Sequence, residues 1–164
     1  RTLVWEIKYR RNKKIIESVS RVLFDILMSE LAERVLFDNF KNPLLVPVPT
    51  SDKRRRERGY NQTELLCEAL KKLDTEDLFE YSPDVLKKVV HTESQTLTKN
   101  KKERIKNIEN TMQATSEVAD RPACAGRNII LLDDVTTTGA TLRDARRALR
   151  EAGAKKILCL TLAH

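Results

Sequence analysis

The apolar positions along this chain recur at two different periods, and each change of period marks an element. Residues 15–36, IIESVSRVLFDILMSELAERVL, set Ile15, Val19, Val22, Ile26 and Leu27 at helical spacing with charges on the other face, which predicts one long amphipathic helix. Upstream, LVWEIKYRR fits a weak helical turn through Leu3, Val4 and Ile7, and Lys8 to Lys14 form a basic loop. LLVPV (44–48) reads as a buried strand ended by Pro47 and Pro49, because proline has no N–H for a ladder. Asn61 with Glu64 three positions on makes a capping-box-like start to a second helix. Its stripe is Leu65, Leu66, Ala69, Leu70 and Leu73, and it ends near Asp74.

The pattern then loosens. VLKKVVH (85–91) alternates as a strand, TESQTLTKN (92–100) is a loop and lid candidate with only Leu97 as an apolar anchor, and KKERIKNIE resembles a short helix. Met112 to Arg127 reads as a strand and a turn around Pro122. The clearest signal comes last: NIILLDD is a strand, TLRDARRALREAGA a helix with Leu142, Ala145, Leu149 and Ala152 on one face, and KKILCLTLA a second strand. Gly153 supplies the helix stop. Strand, helix and strand in so few residues imply a right-handed crossover, hence a parallel sheet whose ligand edge lies at the strands' carboxyl ends. With no internal repeat or low-complexity tract, residues 1–164 are expected to form a single domain.

Composition narrows the class. The chain is 40% hydrophobic and 34% charged, and no apolar run approaches the roughly 20 residues that cross a bilayer. Three cysteines, Cys67, Cys124 and Cys159, without a Cys-x-x-Cys spacing, and two histidines argue against a disulfide framework or a structural zinc, and point to a reducing, cytoplasmic compartment. Arg1 is not an initiator methionine and no signal segment follows, so the first residues are no guide to where the protein starts. The net charge of +7 suits an anionic partner, phosphorylated small molecule or nucleic acid, without choosing between them.

Candidate chemistry gathers at the end of the NIILLDD strand. Thr136 to Thr141 lie between that strand and the next helix, where unpaired amides and the helix dipole attract a phosphate. Gly139 permits a turn closed to other residues, while the hydroxyls of Thr137, Thr138 and Thr141 add donors. Asp133 and Asp134 would repel that phosphate, so they should face another part of the ligand, and vicinal ribose hydroxyls fit carboxylates that only accept. The blander reading is a strand end and a turn. A Walker-type nucleotidase is disfavoured because no Gly-x-x-x-x-Gly-Lys-[Ser/Thr] loop exists, and the dinucleotide fingerprint is absent too.

Taken whole, IILLDDVTTTGAT resembles the phosphoribosyl pyrophosphate (PRPP) motif of type I phosphoribosyltransferases. VPVPTSDKRRRERGYNQTELL (46–66) and QTLTKNKKERIKNI (95–108) are similar to segments of the competence protein F (ComF) family, and EIKYRR weakly so. The resemblance implies a type I phosphoribosyltransferase fold, a mostly parallel twisted sheet flanked by helices, with a flexible hood. It implies that Asp133 and Asp134 carry the chemistry, that Thr136, Thr137, Thr138, Gly139, Ala140 and Thr141 hold the 5-phosphate, and that Pro49, Thr50, Ser51 and Arg58 meet pyrophosphate. Lys53, Arg54, Arg55, Arg56 and Arg58 supply cations there, each otherwise read as a solvated charge. Gln95, Arg104 and Asn107 match hood positions, although Arg104 and Asn107 could equally pair across a helix surface.

The implied reaction is displacement of pyrophosphate from C1 of PRPP by a nitrogen nucleophile, through an oxocarbenium-like ion, with substrate-borne Mg2+. No general base and no base-specific pocket can be read. The family's N-terminal four-cysteine zinc ribbon does not stand in these residues, whether truncated or never present, so no protein-bound metal is expected, and Thr50-Ser51 departs from the family's usual residues after Pro-x-Pro. The alternative is a non-catalytic PRPP- or nucleotide-binding interaction protein in competence and single-stranded DNA uptake. Aromatics at 5% make stacking platforms scarce, which favours a protein partner such as a helicase over direct nucleic-acid binding.

Overall fold

The computed structural model describes residues 13–50, 55, 59–89, 111–118, 121–135 and 139–163. Helix α1 spans Lys13–Asp38, strand β1 Leu44–Pro47 and helix α2 Gln62–Leu73. Strand β2 is Glu80–Tyr81, followed by a single 3-10 turn, Pro83–Val85, and the short strands β3 (Leu86–Lys88), β4 (Met112–Ala114), β5 (Ser116–Val118) and β6 (Arg121–Pro122). Strand β7 (Asn128–Val135), helix α3 (Ala140–Glu151) and strand β8 (Lys156–Ala163) complete the order.

Four strands form one sheet in the order β2-β1-β7-β8, every neighbour parallel. The parallel sheet expected from the last strand–helix–strand is therefore present, with Asn128 level with Lys156 and Pro47 level with Leu132. Proline ends β1 as its missing donor requires, yet Val48 still donates to the Leu132 carbonyl (2.8 Å), so the strand's direction persists past it. β7 is buried on both faces, as continuous apolar runs in parallel sheets are. Ile130 and Leu132 pack with α1 and α2, and Ile129 and Leu131 with α3.

Three expectations change. The buried stripe of α1 is Ile16, Val19, Leu23, Leu27 and Leu31, while Val22 and Ile26 are 60% and 50% exposed. Val19 and Leu27 of the expected stripe are buried and Ile15 packs against the core, but the helix is apolar over a wider arc than its packing uses, so spacing alone also took in Val22 and Ile26. Of the strand expected over 85–91, residues 85–89 are described, and among them the strand is Leu86–Lys88, because Val85 closes a 3-10 turn begun at Pro83 and the pairing with β4 is antiparallel over three residues. Met112 to Arg127 holds three short strands and a turn instead of one strand. The lid and short helix expected over 92–109 lie outside the described residues.

Helix ends are built as their residues dictate. Asn61 Oδ1 accepts from Thr63 N (3.1 Å), and Glu64 takes the Asn61 side-chain amide (3.2 Å) instead of its backbone N–H. At the other end of α3, Gly153 adopts φ 88°. Its N–H meets Arg150 O while Ala154 N reaches Leu149 O (both 2.9 Å), a Schellman closure that needs a left-handed residue.

Candidate active site at the carboxyl edge

Parallel alignment puts the carboxyl ends of β1 and β7 side by side. Pro49 and Thr50 lie two and three residues past Pro47, which pairs with Leu132, and Asp133 and Asp134 follow Leu132 on β7. Pro49, Thr50 and the acid pair thus reach one edge. Asp133 is 7% exposed and in register with Thr161 of β8, and Asp134 is half-buried. Strand alternation sends them to opposite faces: Asp133 follows Ile129 and Leu131 toward α3, and Asp134 follows Ile130 and Leu132 toward α1 and α2. They bracket the strand end. Asp134 N donates back to Asp133 Oδ1 at 2.9 Å, which orients that carboxylate.

Gly139 is the N-cap of α3 at φ 69°, ψ 2°, a left-handed conformation, and it has no side chain to spend on capping. Ala140 is buried behind it and Thr141 is half-buried. Arg143 N takes the Gly139 carbonyl (2.9 Å), which starts the helical ladder at this residue. Electrostatics at this edge are felt on β8. Burial pushes the Cys159 thiol up, Arg146 and Arg150 pull it down, and the charge of Asp133 raises it again.

The cationic segment is seen in part. Gly59 adopts φ 74° with open space around it, so its backbone and not crowding selects glycine. Arg55, mostly exposed, lies 3.6 Å from Glu64 Oε2, so one of the basic residues read as solvated is tied to α2. Asn61 and Gln62 are buried, the first as helix cap. Thr50 has a buried Oγ1 with no hydrogen-bond partner in the protein. Ser51, Arg58, Gln95, Arg104, Asn107 and Thr136, Thr137 and Thr138 lie outside the described residues.

One device escaped sequence reading. Asp144, buried on α3, accepts from Thr111 N (2.9 Å), Thr111 Oγ1 (3.0 Å) and Met112 N (3.1 Å) through Oδ2. Its Oδ1 takes Arg147 Nε (3.1 Å) and Nη2 (2.7 Å), and Nη2 also donates to Met112 O (3.0 Å). The hydrogen bond to Asp144 raises the Arg147 guanidinium above its ordinary value. The pair fixes β4 to the helix that starts at Gly139. An acid inside the helix's apolar arc, with an arginine three residues on, was the available signal.

A model of the phosphoribosyl transferase domain matches residues 80–164, more than half of the chain. Competence protein F of Haemophilus influenzae is 31% identical over 164 residues, 99% of this chain and 66% of that protein. The chain belongs to the ComF family of phosphoribosyl transferase domains. Competence protein ComFC of Bacillus subtilis is 37% identical over 113 residues, 69% of this chain and 40% of that one. The ComF chain thus spans about two thirds of the first relative's length, and it meets less than half of the second. Among solved structures, the hypoxanthine phosphoribosyl transferase of Trypanosoma cruzi superposes with a TM-score of 0.53 at 16% identity, over 89% of this chain and 65% of that one. At that identity the likeness speaks for the fold alone, and the fold is the type I phosphoribosyltransferase fold: a parallel sheet flanked by helices. Among the described residues no helix is long and apolar enough to cross a membrane.

Proposed function

We propose that this ComF chain binds PRPP at the carboxyl edge of its sheet and transfers the 5-phosphoribosyl group to a nitrogen nucleophile with release of pyrophosphate. The observation that carries the reading is the meeting of three parts at one edge: Pro49 and Thr50 after β1, Asp133 and Asp134 at the end of β7, and the left-handed Gly139 opening α3. A 5-phosphate would sit on the amides of the 136–141 loop at the start of α3, where helix dipole and unpaired N–H groups favour an anion. Asp133 and Asp134 would accept from the ribose hydroxyls and offset positive charge developing on the ring. Pro49, Thr50, Ser51 and Arg58 would meet the pyrophosphate, and Gln95 and Arg104 would act from the hood.

Among the described residues no group of three His, Cys, Asp or Glu could cage a metal. Two carboxylates at the edge suit instead a Mg2+ that arrives on the substrate and keeps its waters. Bound there, the ion would neutralise the leaving pyrophosphate. The chain's own part is positioning: bringing the nucleophile in line and keeping water from C1.

Calorimetric titration with PRPP and Mg2+, against ribose 5-phosphate as control, tests this. Binding that needs both the pyrophosphate and Mg2+ supports the reading, and a screen of nitrogen nucleophiles for pyrophosphate release then tests transfer. Absence of PRPP binding overturns it. The relatives' names, Competence protein F and ComFC, favour a second reading, a PRPP- or nucleotide-binding interaction protein acting with a competence or DNA-processing partner such as a helicase. PRPP binding with no pyrophosphate release for any nucleophile would support that one.

A further inference from the structure

Asp144 and Arg147 hold more than a helix to a strand. Asp144 Oδ2 accepts from two successive backbone amides and a hydroxyl at one point of the chain: Thr111 N (2.9 Å), Thr111 Oγ1 (3.0 Å) and Met112 N (3.1 Å). Arg147 takes the other carboxylate oxygen and the Met112 carbonyl. Val89 N donates to Thr111 O at 2.6 Å, so the chain that leaves the body after Val89 comes back beside it at Thr111. Both ends of residues 90–110 are therefore tied through Thr111 to one buried carboxylate.

That carboxylate is close to the site. It stands five residues after Gly139, about 7.5 Å along the axis of α3 from the end that would hold the 5-phosphate. β4 runs away from that end, since Met112 O bonds to Arg147 while Ala114 lines a cavity with Glu151 and Ala152. Thr111 thus precedes β4 on the side of Gly139. An apolar contact of the same size would hold β4 to α3 as firmly, and often more so. What a carboxylate adds is direction, because hydrogen bonds weaken steeply as they bend. Two amides and a hydroxyl on one oxygen fix the chain at Thr111 in angle as well as in distance.

Charge says which part of the ligand this concerns. Residues 90–110 carry five lysines and arginines against three glutamates. In the PRPP reading above, residues 133–141 take the ribose hydroxyls and the 5-phosphate, which leaves the pyrophosphate, the most anionic part. Resting on that reading, we propose that Asp144 is a positioning residue for PRPP. Through Thr111 and Met112 it sets where residues 90–110, Gln95 and Arg104 among them, start and end relative to the phosphate end of α3, and so how tightly the pyrophosphate is held.

Calorimetry of the whole chain with PRPP and Mg2+, and separately with ribose 5-phosphate, tests it. Asp144→Asn keeps the shape and removes the charge that Arg147 and the two amides share. It should weaken PRPP about tenfold or more and leave ribose 5-phosphate within about twofold. Thr111→Val, which removes only the hydroxyl, should weaken PRPP less, and Thr111→Ser should bind as the native chain does. Gly153→Ala, at the far end of the same helix, controls for stability alone and should not move PRPP. If the native chain does not bind PRPP, the PRPP reading fails and this inference with it. If it binds, the inference alone is overturned when Asp144→Asn and Thr111→Val keep native PRPP affinity, when they weaken both ligands alike, or when Gly153→Ala loses as much as they do.

Discussion

The two edges of the sheet use similar residues to opposite ends. At the amino edge, side chains bond to parts of the chain far away in sequence. Asn128 Nδ2 donates to Lys41 O (3.1 Å), Arg127 Nη2 to Asn42 O (3.3 Å) and Glu80 Oε2 (3.0 Å), and Lys156 Nζ to Asp38 O (2.6 Å). At the carboxyl edge the bonds that give the site its shape include local ones, Asp134 N to Asp133 Oδ1 and Arg143 N to Gly139 O, and a left-handed glycine stands where a cap would be. The first edge spends its polar groups on closing the fold. The second arranges them around a strand end, which is why loss of a side chain there should cost ligand and loss at the amino edge should cost stability.

The sharpest test of that division is Asp133→Asn with Asp134→Asn. The double variant should lose PRPP affinity by more than about 100-fold in calorimetry, about 2.7 kcal/mol or more, with little change in unfolding temperature. If PRPP affinity is unchanged, the site assignment fails. Asp144→Ala tests the helix that joins the edges. It strips Thr111 N and Met112 N of their acceptor and leaves Arg147 without its main partner, so urea unfolding should register a loss of about 3 kcal/mol.

The glycines at the two ends of α3 make a matched pair. Both hold positive φ, 69° at Gly139 and 88° at Gly153, so Ala at either should cost about 1 kcal/mol of strain. A Cβ on Gly153 meets only Ala125 at an ordinary 3.6 Å, so Gly153→Ala should change stability and leave PRPP affinity alone. Gly139→Ala should weaken both. Equal effects of the two on ligand would break the comparison between the edges.

Sequence reading succeeded where two independent signals agreed. Residues 128–163 carried an uninterrupted apolar strand, a helix stripe and a glycine at each turn, and the parallel crossover follows from them whatever the rest of the chain does. The place of Asp133 and Asp134 at the end of β7 was legible because the apolar run before them is unbroken. Val22 and Ile26 misled for the opposite reason: α1 is apolar on two ridges, and only the packed α2 and sheet decide which is inside. Val85 misled because the pairing partner of this strand, Met112–Ala114, is remote in sequence and holds only three residues, too few to impose a period. Asp144 stood out only as an acid inside an apolar arc, and its partners Thr111 and Met112 were not legible because they lie on another element that periodicity does not bring near.

The smallest effect concerns Lys71, at the end of α2 beside the start of β2. Its ammonium donates to Asp74 Oδ2 (3.0 Å), to Phe79 O (2.7 Å) and to Asp77, and it lies 5.5 Å from the centre of the Phe79 ring. The hydrogen bond to Asp77 is the main cause that raises its pKa, against a lowering by burial, and the bond to Asp74 adds to it. A group whose pKa is higher folded than unfolded stabilises fully below the unfolded value, about 10.4 for lysine, and the contribution disappears as pH rises through the folded value. Stability of the native chain should therefore fall above about pH 10 more steeply than that of Lys71→Met, by well under 1 kcal/mol because Asp77 is largely exposed. Denaturant titrations at pH 8 and near pH 11 would measure the difference. Because Lys71 serves the amino edge, PRPP affinity at pH 8 should be the same in both proteins. A loss of affinity in Lys71→Met would show that the two edges are coupled through α2.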